Sequence, residues 1–465
     1  MLRFGRQDVF FVVFFKMIPN MNPTLIDHVV RSAIAQIAVR IERHPLLQHF
    51  VSQSAKIQMP KQDDLIVRER LPERLVSLAR PDRTIFIVGG PGSGKTTLCH
   101  AITASAVAYD PPFVPIPVDA HSLRRNPDRF RLIRAVLGTH ATESVVSQLT
   151  EEKRFLWVID GLNEIDCATL PDGATQTIGD LLNGQDNCPV IALTRIPIPN
   201  RLWNPGPLTQ ETIEVTIQPF GESQRERLVL NHDVDYAHFT DWISQGGVAA
   251  LIHNPQLLTL CIEIFRSEPH TAAPKSVVEL FVKWFQLKWE QARPFVERPD
   301  VGRTTFLRSL ATLGWHMRNR GFVAVDAATW TDLLSPFDNL LNRDGLDRQM
   351  IVDRSHSFYL MELHDAELQF IHERFEDHFA ARFLLEYEDI PESLWHGVEW
   401  EEVLAHLAGL RGEDSAAGML QQALYRKRLT LAARIVALNS QLLSAESQST
   451  LFLYLATSLG GTQRG

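Results

Sequence analysis

Apolar residues in this chain follow two rhythms that change over near residue 221. Before that point, short apolar runs alternate with amphipathic stretches. TIFIV (84–88), FVPIPV (113–118), RFLWVID (154–160) and PVIALT (189–194) are the runs, and ETIEVTIQPF (211–220) alternates. Runs of this length predict buried strands, while the periodic stretches at 94–108, 128–137 and 142–152 predict helices. Strands separated by helices imply a parallel sheet covered on both faces. The prolines of FVPIPV place that strand near a sheet edge, because proline donates no ladder hydrogen bond. Residues 22–58 read as one or two amphipathic helices, with Leu25, Ile26, Val29, Val30, Ile34, Ile37 and Ala38 at helical spacing.

Beyond 221 the pattern is helical to about 320. FYLMEL and ELQFIH, within 358–372 and joined by a tight HDA turn, then predict a hairpin. A helix follows, on which Phe375, Phe379 and Phe383 share one face. Helices, a hairpin and a further helix suggest a winged-helix module. The expected order is therefore a short N-terminal helical region (1–60), an α/β nucleotide-binding domain (61–220), a helical domain (221–300), a winged-helix domain (301–388) and a helical C-terminal region (389–465).

Bulk composition changes this picture little. A chain of 465 residues predicts about three or four domains. Its 45% hydrophobic and 22% charged residues are those of a globular protein. The formal charge of −9 speaks against broad nucleic-acid affinity, which needs a basic face. The four cysteines show no C-x-x-C spacing, so neither a zinc site nor a disulfide framework is expected, and a reducing cytoplasm fits. VFFVVFF (9–15) is too short to span a bilayer and lacks the flanks of a signal peptide, and Met17 or Met21 is an alternative start.

Candidate chemistry begins at GGPGSGKT (89–96), which fits G-x-x-x-x-G-K-[ST] after a strand and before a helix. Gly89, Gly90, Gly92 and Gly94 let backbone N–H groups turn inward around phosphate oxygens. The helix start adds partial positive charge. Lys95 would neutralise the β and γ phosphates, and Thr96 would offer a hydroxyl to Mg²⁺. Pro91, Ser93 and Thr97 complete the candidate nucleotide contacts. Asp160, ending an apolar strand, is the expected second magnesium contact. Gly161 follows it, where a carboxylate would be needed to polarise an attacking water. Glu164 is the nearest alternative base, although it and Asn163 also read as helix caps. Slow hydrolysis is expected. Thr194 and Arg195 end the next strand, where Arg195 suits γ-phosphate sensing or, alternatively, a surface salt bridge. Asn254 and Pro255 form a helix start.

Together these stretches resemble a NACHT domain, a branch of the signal-transducing STAND NTPases within the AAA+ group, over most of 65–390. GGPGSGKTTL resembles the family's phosphate loop, VIDGLNEI its second motif, and LTRIP its first sensor. Asn163 departs from the more usual D-G-x-D-E. NPQLLTL resembles the segment whose proline, here Pro255, lies against adenine. FIHERFEDHFAA resembles the winged-helix segment whose histidine, here His372, contacts the β-phosphate of ADP; a core histidine is the other reading. LIVRERLPERL (65–75) faintly resembles an adenine-wrapping segment, with Ile66 and Arg68 as contacts. The resemblance implies an ATP/ADP switch with weak NTPase activity, ATP-dependent oligomerisation, and a role in signalling or in innate immune and antiviral defence. An unknown trigger ligand is an expected partner, and either the effector is a separate protein, or the short N-terminal helices are an assembly element, or the chain is a fragment; no nucleic-acid or membrane partner is indicated. An AAA+ motor or a DNA-associated ATPase helper is the rival reading.

Overall fold

TIFIV lies inside β3 (Arg83–Val88), and its alternate residues pack to opposite sides of a sheet. In the computed structural model, Ile85 and Ile87 join one core and Phe86 joins another. Such a strand has no polar face, which is why its sequence is a continuous apolar run. The same holds for β5 (Phe155–Asp160) and β6 (Val190–Thr194), whose residues divide between the same two cores.

The structure describes residues 25–42, 47, 49–59, 64–119, 123, 128–162, 174–182, 188–194, 211–249, 252–292, 299–321, 324–358, 360–364, 367–370 and 372–451. Two compact units divide the chain, Met1–Pro219 and Phe220–Gly465.

Among the described residues, the first unit is built on a seven-stranded sheet. With β1 (Ala55–Gln58), β2 (Leu65–Val67), β4 (Val114–Asp119) and β7 (Glu211–Ile217), the order is β2-β1-β7-β3-β6-β5-β4. Strands β7, β3, β6, β5 and β4 run parallel, while β1 pairs antiparallel with both β7 and β2. Pro115 and Pro117 sit on β4 at the sheet edge, as their missing N–H groups require. Helices α1 (Leu25–Glu42), α4 (Arg129–Leu137), α5 (Glu143–Glu151) and α6 (Ala174–Leu182) cover one face. Between them in sequence, α2 (Leu71–Leu78) and α3 (Lys95–Ala108) cover the other.

One expectation fails here. Residues 55–58 read as part of a helical stretch but form β1. Ala55 and Ile57 are fully buried while Lys56 and Gln58 are not, a period of two rather than 3.6. The free edge of β7 supplies the hydrogen-bond partners that decide it.

Among the described residues, the second unit starts with the helices α7 (Glu222–Asn231), α8 (Tyr236–Ser244), α9 (Pro255–Ser267), α10 (Val277–Ala292) and α11 (Pro299–Arg320). A small antiparallel sheet follows, ordered β8 (Val325–Asp326), β10 (Glu367–Phe370), β9 (Met361–His364). Strands β9 and β10 form the expected hairpin, with Leu368 opposite Leu363. Helices α12 (Ala327–Leu334), α13 (Asp338–Arg343) and α14 (Arg348–Ser357) lie between β8 and β9 in sequence. After the hairpin come α15 (Glu373–Leu384), α16 (Glu392–His396), α17 (Glu401–Arg411), α18 (Glu413–Tyr425) and α19 (Leu429–Asn439). Phe375 and Phe379 of α15 are buried, Phe375 stacking on Trp284 of α10. Among the described residues, no helix is long and apolar enough to cross a membrane.

Candidate functional site

Strand β3 ends at Val88, and six residues turn the chain into α3 at Lys95. The turn is held at both ends. Gly89 N donates to Thr194 O of β6 at 3.1 Å, and Leu98 N donates to Gly94 O at 2.8 Å as the first helical bond. In between, Ser93 N donates to Gly90 O at 3.2 Å. Gly92 (φ 72°) and Gly94 (φ 84°) are left-handed, a conformation that disfavours any Cβ. A Cβ on Gly89 would lie 2.6 Å from Ser93 Oγ.

The Lys95 ammonium donates to Gly89 O at 2.6 Å and to Gly90 O at 3.1 Å. Phosphate oxygens would compete for those same hydrogens. Ser93 Oγ is buried and finds no hydrogen-bond partner among the described residues. A buried hydroxyl without a partner costs stability, and an anion in the loop would supply one. Pro91 and Thr97 are half-buried beside the turn, and Thr96 is exposed at the start of α3.

Asp160 closes β5, and β6 lies between β5 and β3. Its carboxylate nevertheless comes near enough to the start of α3 for the Thr96 side chain and the Lys95 charge to act on it. Burial pushes the Asp160 pKa up; Thr96, the Lys95 charge and the Gly161 N–H pull it down, and the negative charge of Asp119 raises it further. Asp119 ends β4 in register with Asp160. The Thr96 hydroxyl and the Asp160 carboxylate are hard oxygen donors of the kind Mg²⁺ takes. Gly161, at φ 72°, confirms a backbone turn where a carboxylate would otherwise follow.

Glu164, Asn163 and Arg195 lie outside the described residues. Thr194, the residue before Arg195, is buried, and its carbonyl holds the start of the loop. Pro255 and His372 belong to the second unit. Asn254 caps α9 by accepting from Gln256 N at 3.1 Å and Leu257 N at 3.2 Å, with Pro255 as the first helical residue. His372 is the N-cap of α15, its Nδ1 accepting from Arg374 N at 3.1 Å. It is half-buried rather than a core residue. An accepting Nδ1 leaves the proton of the neutral ring on Nε2. Ile66 of β2 is exposed, as is Arg68 after it.

Two residues at the site escape the sequence reading. Gln53, just before β1, is only 2% exposed, and its Nε2 donates to Gly94 O at 3.1 Å. Nothing local marks it, because residues 55–58 after it read as part of a helical stretch rather than as a strand in the sequence. Asp119 carries a fainter signal: it is the acidic residue ending FVPIPVD, as Asp160 ends FLWVID.

Residues 83–235 match the family model described as the NACHT domain. No curated protein matches the sequence. Among solved structures, the STAND ATPase with a tetratricopeptide repeat sensor from Pyrococcus horikoshii is 11% identical, over 81% of this chain and 53% of that one, with a TM-score of 0.38. The present chain thus spans about half the length of that structure. The ORC1 protein of Aeropyrum pernix, in complex with DNA, is 13% identical over 72% of this chain and 100% of that one, at a TM-score of 0.33. Domain III of the Thermotoga maritima replication initiation protein DnaA is 14% identical over 43% and 82%, at 0.28.

Proposed function

We propose, from the premise that residues 83–235 are a NACHT domain, that this protein is a nucleotide-controlled switch which binds ATP or ADP with Mg²⁺, hydrolyses ATP slowly and self-associates in its ATP form. The observation that carries this reading is the glycine turn held by Lys95 at the head of α3 with the buried Asp160 carboxylate close by, which brings a phosphate cradle and a carboxylate suited to magnesium into one place.

Backbone N–H groups of 89–94 and the start of α3 would hold the phosphates. Lys95 would exchange the carbonyls of Gly89 and Gly90 for phosphate oxygens. Thr96 and Asp160 would hold Mg²⁺, which when bound neutralises the β and γ phosphates. Gly161 gives the position after Asp160 no base, so turnover depends on Glu164 and is slow. Arg195 would report the γ-phosphate.

In the second unit, the three-stranded sheet with α11, α12, α14 and α15 is read as a winged-helix domain. His372 Nε2–H would donate to the β-phosphate of ADP and Pro255 would lie against adenine, giving a closed ADP form. Shifting such an equilibrium from 1:99 to 99:1 takes about 5.5 kcal/mol of differential binding. Signalling or defence in the cytoplasm, with a separate trigger and effector, is the role this reading supports.

The test is to denature purified protein, identify the nucleotide it releases, and measure particle mass with ADP and with ATP. A monomer releasing ADP that grows on ATP supports the switch. Turnover of many ATP per second without a change of mass would replace it with the motor reading.

A further inference from the structure

A four-residue segment ahead of β1, Val51–Ser54, touches three parts of the first unit. Ser52 Oγ accepts from Leu71 N at 3.0 Å, from 19 residues away. That bond caps α2, whose own N-cap residue, Arg70, makes no side-chain cap. Gln53 Nε2 donates to Gly94 O in the phosphate loop, from 41 residues away. Ser54 O accepts from Gln218 N at 2.8 Å, just past the end of β7 and two residues before the second unit begins.

Gln53 is sensitive to the loop in two ways. Its donor is matched to the carbonyl of Gly94, the residue that turns the loop into α3. Its amide also fills the space a Cβ on Gly94 would take, at 2.7 Å. Any rotation of the Gly94 peptide must therefore move the Gln53 side chain or break its bond. The other end of that amide, Oε1, is buried with no hydrogen-bond partner among the described residues. One bond to the loop thus holds a buried amide whose removal leaves little else to fix it.

We propose that Gln53 is a positioning residue for the phosphate loop, and that Ser52–Ser54 couples phosphate binding to the cap of α2 and to the chain leaving the first unit at Gln218. This rests on the nucleotide-switch reading. When Lys95 leaves the carbonyls of Gly89 and Gly90 for phosphate, the loop peptides reorient. Gln53 follows Gly94, and its two neighbours carry the change to Leu71 and Gln218. Residue 53 lies outside the matched segment 83–235, yet β1 next to it belongs to the same sheet.

The full-length chain tests this with Gln53→Met, which keeps the buried bulk and removes the donor, and Gln53→Glu, which keeps the shape and loses the donating nitrogen. Measured for each are unfolding temperature without nucleotide, affinity for a fluorescent ADP analogue with Mg²⁺, and amide exchange at Gln218 with and without ADP. The expected result is an affinity weaker by about two- to tenfold, a nucleotide-dependent change at Gln218 present in the wild type and lost in the variants, and for Gln53→Met little change in unfolding temperature. Wild-type affinity and an intact response at Gln218 in both variants would overturn the proposal, whatever their stability. Should the wild type bind no ADP at all, the switch reading itself falls and this one with it.

Discussion

The buried Asp160 carboxylate, on the last residue of β5, stands within electrostatic reach of Lys95 in the first turn of α3, across an intervening strand. Neighbouring strands lie about 4.8 Å apart, so only residues at the same carboxyl-terminal level of the sheet can meet in this way. That placement marks where a divalent cation would sit; it and three other features of the protein can be tested.

Asp160→Asn separates the cost of a buried charge from its use. The folded pKa of Asp160 is raised by burial, so the unfolded chain releases that proton at lower pH than the native protein. Stability from this group is full below the unfolded carboxylate range and is lost as pH rises through the raised value. Asparagine keeps the shape but carries no charge. At pH 7.5 and without nucleotide, the variant should unfold at a higher temperature than the wild type. It should also lose the extra stabilisation that Mg²⁺ adds to ATP.

Lys95→Ala removes the ammonium that bridges Gly89 O and Gly90 O. A charge-assisted bond to phosphate is worth about 1.5–3 kcal/mol, so nucleotide affinity should fall by about tenfold to 150-fold. The side chain is only half-buried, so the fold should survive, and circular dichroism should be unchanged. A variant that binds ADP as tightly as the wild type would remove the loop from the proposed site.

Gly314 of α11 meets α15 at a close helix crossing. A Cβ there would stand 3.0 Å from both Ala380 N and Glu376 O, and 3.1 Å from Phe379 Cβ. Backbone atoms on the far side cannot yield as a long side chain can. Gly314→Ala should therefore destabilise the second unit by about 1–3 kcal/mol, read as a lower denaturant midpoint at unchanged slope.

Acid should weaken the second unit through a buried histidine pair. His378 of α15 and His406 of α17 lie edge to face with ring centroids 5.5 Å apart, and Phe281 of α10 packs on both. Burial holds the His406 pKa down to about 4, against an upward pull from Glu402 and a downward push from Arg374. Burial, then His406 and Arg382, also depress His378. An unfolded imidazole titrates near about 6.5, so the unfolded chain takes up protons first. Stability from the pair is full above that pH and is lost as pH falls towards about 4. The unfolding temperature should drop between pH 7 and pH 5, and His406→Leu should flatten that dependence.

Much of the first unit could be read from local pattern because burial on both faces writes itself as unbroken apolar runs. The strands at 84–88, 154–160 and 189–194 are of this kind, and the turn between 89 and 94 announces itself by its glycines, of which Gly92 and Gly94 take φ above zero. The hairpin at 361–370 and the buried Phe375 and Phe379 follow from alternation and helical spacing in the same way. His372 divides the two kinds of knowledge. Its position at a helix start is visible in sequence, whereas its capping bond to Arg374 is a fact of geometry.

What the chain alone determined is the phosphate loop, the strand that delivers Asp160, and the change from α/β to helical pattern near 221. Each depends on neighbours a few residues apart, where backbone preference and side-chain period act directly. Only the tertiary structure decided that 55–58 is a strand, that Gln53 clamps Gly94 and that Asp119 stands level with Asp160. Those outcomes need hydrogen-bond partners tens of residues away, and no local pattern encodes a partner it has yet to meet.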